Sequence, residues 1–157
     1  MNEFTIQPNE YLKQSIKAFY HQDYHGGKWK DADTLEYHIV KIKNTSGNEK
    51  ILLLKNSETE LQKILQEELA KIRDHYSNTH LTVCVVPRAK VEKYYSNNQK
   101  LFRRLVSNVV DKLDGFSNGT TYIIRHTDTR TTHLNKSGYG GEGKMPYIGI
   151  TKGTCNI

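Results

Sequence analysis

The ten residues from Leu81 to Lys90, LTVCVVPRAK, decide the predicted fold. Residues 82–86 are β-branched or small and apolar, a composition that favours a strand buried on both faces. Pro87 has no N–H to donate to a β-ladder, so the strand should end there. Arg88 and Lys90 follow at once and place two cations at the carboxyl end of the strand. In α/β proteins, anionic ligands bind beyond this end of a parallel strand.

A helix is predicted on each side of this strand. Upstream, Ser57 and Glu60 form a capping box, after which apolar residues recur at helical spacing to about Tyr76. Downstream, residues 96–113 repeat the helical pattern, and Gly115 is placed to cap the end of that helix. Both helices should pack on the sheet through their apolar stripes.

A second buried strand is predicted after the downstream helix. Asn118-Gly119 indicates a turn into the β-branched stretch TTYIIR, which ends at Arg125. Because a helix of crossover length lies between them, residues 83–86 and 122–125 should be adjacent parallel strands. The exit loop of the first strand would then lie beside Arg125 as a cationic rim. Arg103-Arg104, on the intervening helix, is expected to be solvated.

The first 80 residues are predicted to add a helix and a β-hairpin. Pro8-Asn9 is typical of a helix start, and residues 10–20 place four apolar side chains on one helical face: Leu12, Ile16, Phe19 and Tyr20. Residues 34–43 and 50–55 alternate or run apolar around Ser46-Gly47-Asn48, which predicts the hairpin.

The last part of the chain has a different composition. Residues 126–157 are basic and hold six of the eleven glycines, so we expect a mobile loop and tail. One domain is thus predicted, with a helix-hairpin-helix part at 1–80, a β-α-β core at 81–125 and the glycine-rich tail.

Composition narrows the class of protein and the charge of its partner. The 157 residues include 36% apolar residues, with no apolar run of transmembrane length and no signal-peptide pattern. Two cysteines, Cys84 and Cys155, make neither a disulfide framework nor metal-ligand spacing, which predicts a reducing, cytoplasmic setting. The net charge of +6 and the pI near 9.2 favour an anionic ligand.

Three functions fit an anionic ligand. The first is a phosphate-binding α/β domain in which the turn after Pro87 grips a phosphate and the segment after Arg125 closes as a lid. The second is a two-histidine phosphoesterase, suggested by the H-x-T pattern at His80. Neither His126 nor His133 begins a matching H-x-T or H-x-S, so the second histidine motif is missing. The third is a non-catalytic nucleic-acid binder that uses the basic tail with tyrosines for stacking: Tyr122, Tyr139 and Tyr147.

The order of elements, with the strand endings VVPRAK and YIIRHTDTRTTHL, resembles the N-terminal part of the type I phosphoribosyltransferase fold. It is most similar to bacterial phosphoribosyltransferase-like proteins of the ComF and amidophosphoribosyltransferase-related kind. The resemblance covers the chain well from about Leu81 to its end and only loosely before that. It implies a partial α/β fold of parallel strands with flanking helices, to which the N-terminal helix and hairpin are added.

The resemblance also implies a site. In this family the loop after the first core strand holds pyrophosphate, which corresponds here to Pro87, Arg88, Ala89 and Lys90. The long loop after the second strand closes over the reaction, and its expected contacts are Arg125, His126, Arg130 and His133. The implied ligand is phosphoribosyl pyrophosphate, the reaction is displacement of pyrophosphate by a nitrogen nucleophile, and the family's cofactor is Mg²⁺.

The sequence departs from the family at one motif. No strand ends in two acidic residues followed by the Thr-Thr-Gly-like loop that grips the ribose 5-phosphate. The sequence stops at Ile157, about where that strand would begin, so we expect the truncated, catalytically incomplete front portion of such an enzyme. Acidic ligands for Mg²⁺ are not seen, and the acceptor base is not specified. A sheet this narrow leaves edges that should pair with the 34–55 hairpin or with a second copy of the chain.

Overall fold

The computed structural model describes residues 1–9, 12–44, 51–88, 90–95, 97–128 and 155–156. These residues form three α-helices and six short strands, a mixed architecture with one small parallel sheet. The strands are β1 (Asn2–Ile6), β2 (Ile16–Tyr20), β3 (Leu81–Val83), β4 (Phe116–Asn118), β5 (Ile124–Arg125) and β6 (Cys155–Asn156), and the helices are α1 (Leu35–Asn44), α2 (Ile51–His75) and α3 (Asn97–Val110). In the described part of the chain, no helix has the length and apolar character needed to cross a membrane.

A parallel pair of strands is joined through α3, as the sequence predicts, but the second strand is a different one. β3 pairs in parallel with β4, with Leu81 opposite Phe116 and Val83 opposite Asn118. The predicted partner, residues 122–125, was wrong: Ile124 and Arg125 form β5, which pairs antiparallel with β6 in a separate sheet. The chain enters the parallel strand sooner because it turns directly after α3, where Gly115 has a φ of 83° and accepts the Leu81 N–H through its carbonyl at 3.2 Å.

The strand before the basic turn is shorter and less buried than expected. β3 ends at Val83, and beyond it Val86 is 83% exposed. Thr82 and Cys84 are also exposed, whereas Val83 and Val85 contact the apolar core. A two-stranded sheet packed on one face explains this pattern, because alternate side chains of a strand point to opposite faces.

Helix α3 connects the two apolar clusters of the core. One cluster lies next to the parallel pair and contains five buried residues: Leu69, Val85, Val106, Val109 and Val110. The other lies between the helices and contains Ile42, Leu61, Leu101 and Leu105. The five α3 members are each 3% exposed or less. Burying such side chains contributes about 1.5–3 kcal/mol each, so α3 is fixed firmly against both halves of the structure.

The predicted N-terminal helix is instead the second strand of a hairpin. β1 and β2 pair antiparallel, with Phe4 opposite Ala18. The residues assigned to one helical face alternate in the strand, so Phe19 lies on the opposite face from Ile16 and Tyr20. Phe19 packs edge-to-face on α2, with ring centroids 5.3 Å from His75 and 6.1 Å from Tyr76.

The predicted 34–55 hairpin is helical. α1 occupies residues 35–44, and α2 begins at Ile51; the expected turn at 46–48 lies outside the described residues. Thr34 precedes α1, and its hydroxyl accepts the Tyr37 N–H at 3.3 Å, as expected of an N-cap residue.

The helices on either side of β3 were predicted correctly, but not their ends. Because α2 begins six residues before Ser57, that serine does not cap it; it is fully buried, with Oγ 3.1 Å from His38 Nδ1. α3 ends at Val110, so Gly115 is not its cap either. Most of the predicted mobile tail, 129–154, lies outside the described residues.

We expect Gly119→Ala to destabilise the fold by about 1–3 kcal/mol, as overpacking does. A Cβ at this buried position would lie 2.6 Å from the Thr82 methyl carbon and 2.9 Å from Cys84 Sγ, so both side chains would have to rotate or their strand would have to shift. Gly27→Ala is the control, since nothing lies within 4 Å of its added Cβ and the backbone there is helical. Urea denaturation measures both free energies of unfolding, and equal values would contradict the close approach.

Candidate anion-binding site

Most of the predicted pyrophosphate loop lies among the described residues, and we call residues 87–88 and 90–95, beyond β3, the turn. Pro87 and Arg88 are half-buried and Lys90 is exposed, while Ala89 lies outside the described residues. Among the predicted loop contacts, Arg130 and His133 also lie outside them, and His126 is an exposed residue whose Nδ1 is 2.9 Å from Thr127 Oγ1.

Two hydrogen bonds fix the backbone of Arg88. Its N–H donates to the Tyr95 hydroxyl at 2.8 Å, and its carbonyl accepts from Arg125 Nε at 2.5 Å. Arg125 is 3% exposed, so this cation lies inside the structure and joins β5 to the turn. The Arg88 guanidinium takes no part in either contact, and none of the described carboxylates lies within ion-pair distance of it.

Asp128 holds the other side of the turn. One carboxylate oxygen accepts the Val91 N–H at 2.7 Å, and the other lies 3.5 Å from Lys90 Nζ. The pKa of the Asp128 carboxyl lies below its ordinary value of 3.8, chiefly because the Val91 N–H donates to its charged form and also because Lys90 and Lys93 are close. The turn therefore already stabilises one negative charge.

Helix α3 contributes Arg103 to the site. Arg103 forms an ion pair with Glu92 at 3.0 Å, and its side chain is 13% exposed, so the expectation that it is solvated was wrong. Burial raises the pKa of the Tyr95 hydroxyl, while the positive charges of Arg88 and Arg103 act against that rise. Both arginines thus lie near the same hydroxyl. We call Arg88, Lys90, Lys93 and Arg103 the basic patch.

The basic patch lies in the segment where the positive charge of the chain is concentrated. Residues 86–104 contain six of the 23 lysines and arginines but one of the 17 acidic residues. Carboxylates from outside the segment offset part of this charge, since Asp128 pairs with Lys90 and Glu58 with Arg104. The patch therefore keeps a positive charge that carboxylates of the same protein partly offset.

Sequence reasoning found the turn but missed the residues that fix it. Tyr95, Arg103 and Asp128 act on residues 7 to 37 positions away, and such contacts leave no periodic pattern. One signal for these contacts was present in the sequence: Asp128 is an acidic residue that follows shortly after Arg125, at the end of the predicted second strand. His80, the residue of the phosphoesterase motif, lies before β3, with Nε2 2.7 Å from Ser117 Oγ.

A metal site does not form from the described residues. They contain no group of three or more His, Cys, Asp or Glu side chains placed to hold an ion.

Comparisons with protein-family models, with curated proteins and with solved structures found no match to this chain.

We expect Tyr95→Phe to lower the free energy of unfolding by about 1 kcal/mol, the net value of one hydrogen bond whose donor loses its acceptor. The ring stays in place, but the Arg88 N–H loses the Tyr95 oxygen. Tyr94→Phe is the neighbouring control, because Tyr94 is 62% exposed. Urea denaturation together with hydrogen exchange at the Arg88 amide should separate the two variants, and an unchanged Arg88 exchange rate in Tyr95→Phe would argue against this anchor.

The Val91 amide should report the titration of Asp128. A lowered pKa means that the folded state binds this proton less readily than the unfolded state, so the stabilisation is present above the ordinary value of 3.8 and is lost as the pH falls through the lower, folded pKa. The amide shift followed by NMR from pH 6 to pH 2 should have its midpoint below 3.8. Lys90→Ala should move the midpoint upward, and a wild-type midpoint above 3.8 would contradict the contact with Val91.

Proposed function

We propose that this chain binds the pyrophosphate group of phosphoribosyl pyrophosphate at the turn after β3, as a phosphoribosyltransferase-like protein. The observation that carries the proposal is that Arg88 combines a fixed backbone with an available side chain. Its backbone is fixed on both sides by Tyr95 and Arg125, while its guanidinium has no carboxylate partner among the described residues. A cation on a fixed backbone is suited to bind an anion with little loss of chain entropy.

The position of the turn supports the same proposal. β3, α3 and β4 form a parallel β-α-β unit, and the turn lies beyond the carboxyl end of its first strand. Ligands of open α/β sheets bind at this end of the strands. A planar guanidinium also matches the paired oxygens of a phosphate through two parallel hydrogen bonds.

The basic patch would supply charge stabilisation in the reaction that the resemblance implies. In that reaction the bond from the ribosyl carbon to pyrophosphate breaks and a bond from the same carbon to a nitrogen nucleophile forms. Negative charge then accumulates on the departing pyrophosphate, where Arg88 and Lys90 would stabilise it. Lys90 would have to exchange its present contact with Asp128 for the ligand or share it with both. The described residues offer no ligand set for Mg²⁺, so no step is assigned to it.

Arg88→Ala should weaken pyrophosphate binding about 10- to 100-fold, the range expected when one charged hydrogen-bonding group is lost. The turn should persist, because the contacts that fix residue 88 are made by its backbone. Isothermal titration of the full chain with pyrophosphate, with and without Mg²⁺, measures the affinity.

Arg104→Ala is the matched control. Arg104 belongs to the same basic segment, but its side chain is 67% exposed and paired with Glu58 on α2. Its loss should change the affinity less than about threefold. Arg88→Lys should retain part of the binding, because the charge remains and the two-pronged geometry is lost. Equal effects of Arg88→Ala and Arg104→Ala would show a diffuse electrostatic attraction and contradict a site at the turn.

A further inference from the structure

The exposed tyrosine beside the basic patch points to a second anionic partner. Tyr94 ends a 3₁₀ turn formed by Glu92–Tyr94, and its side chain is 62% exposed. Its neighbour Tyr95 is directed the other way, half-buried with its hydroxyl bonded to the Arg88 N–H. One tyrosine therefore anchors the turn, while the other presents its ring to solvent without a structural role in the described contacts.

The backbone that carries Tyr94 is held in place. Its N–H donates to the Val91 carbonyl at 3.0 Å, and the following N–H, of Tyr95, donates to the Glu92 carbonyl at 2.9 Å. The same turn is attached to α3 by the Glu92–Arg103 ion pair and to the segment after β5 by Asp128. A platform fixed in this way loses little conformational entropy when a flat ligand stacks on it.

A cation lies over the exposed ring, and a second is close to the same turn. Lys93 Nζ lies 4.8 Å from the ring centroid, and Lys93 and Lys90 are both close enough to Asp128 to lower its pKa, after the larger effect of the Val91 N–H. Of these two lysines, Lys93 has no carboxylate within ion-pair distance in the described part of the chain. Positive charge and an exposed aromatic ring therefore occur together at one turn.

We infer that this surface binds single-stranded nucleic acid, with a base stacked on Tyr94 and its flanking phosphates held by the basic patch. A stacking platform beside a row of cations is how proteins bind single strands without reading their sequence. A duplex keeps its bases inside the stack and offers only phosphates, so it should bind less tightly. The inference uses Tyr94 and Lys93 and goes beyond the proposed pyrophosphate site, although Arg88 and Lys90 serve both.

Fluorescence anisotropy of the full chain with a labelled 12-nucleotide oligo(dT) tests this surface. Tyr94→Ala should weaken binding about tenfold or more, since one base–aromatic contact of this kind is lost. Tyr94→Phe should bind like the wild type. Tyr24→Ala is the matched control, because Tyr24 is also 62% exposed but belongs to the loop before α1. Arg103 is mostly buried and paired with Glu92, so at most Arg88, Lys90 and Lys93 contact phosphates, and log K should fall with log salt at a slope of about −2.

Several results would overturn the inference. One is an equal loss of oligonucleotide affinity in Tyr94→Ala and Tyr24→Ala. Another is a duplex of the same length that binds as tightly as the single strand. A third is binding to phosphatidylserine vesicles without binding to the oligonucleotide. The pyrophosphate titration keeps the two proposals apart. Tyr94→Ala should bind pyrophosphate normally, and Arg88→Ala should weaken both ligands. Oligonucleotide binding without pyrophosphate binding in the wild type would contradict the proposed function alone.

Discussion

The apolar stripe of α3 is the constraint on which the rest of the structure depends. Its five buried residues belong to both core clusters, so α3, together with α2, ties the parallel pair to the rest of the core. The polar side of the same helix then positions the functional turn and the end of β4. Arg103 holds Glu92, and Ser107 accepts a hydrogen bond from the Asn118 amide at 2.6 Å. Core packing and site geometry therefore meet on one helix.

The elements that could be predicted are those with a long, one-sided pattern. α2 and α3 carry apolar stripes over several turns, and each was found from sequence. The N-terminal segment was too short to distinguish a helix from a strand, and contact of Phe19 with α2 decides it in favour of the strand. For α1 the signal was present but misread, since Leu35, Ile39 and Ile42 recur at helical spacing after the capping Thr34.

The candidate site was predictable in its location and not in its construction. Proline followed by two cations after an apolar strand indicated the turn at 87–90. What the pattern could not supply is the role of each cation, because that depends on partners distant in the sequence. Arg125 proves to be buried against the turn, and Lys90 is paired with Asp128. The charged residues of a sequence predict the sign of the charge on a ligand. Burial and ion pairing in the folded protein then decide which of those side chains are available to bind it.

Asp128 gives an internal measure of the turn's preference for anions. Its carboxylate has a lowered pKa because a backbone N–H donates to it and two lysines lie close, which is the same set of interactions that a phosphate oxygen would find there. An external anion must therefore either displace this carboxylate or bind beside it. Displacement would release the segment after β5 from Val91, whereas binding beside it leaves the Asp128 contact with Val91 intact. Arg88 and Lys93, which have no carboxylate partner among the described residues, favour binding beside it, so the internal acid fixes the turn in the form that receives the ligand.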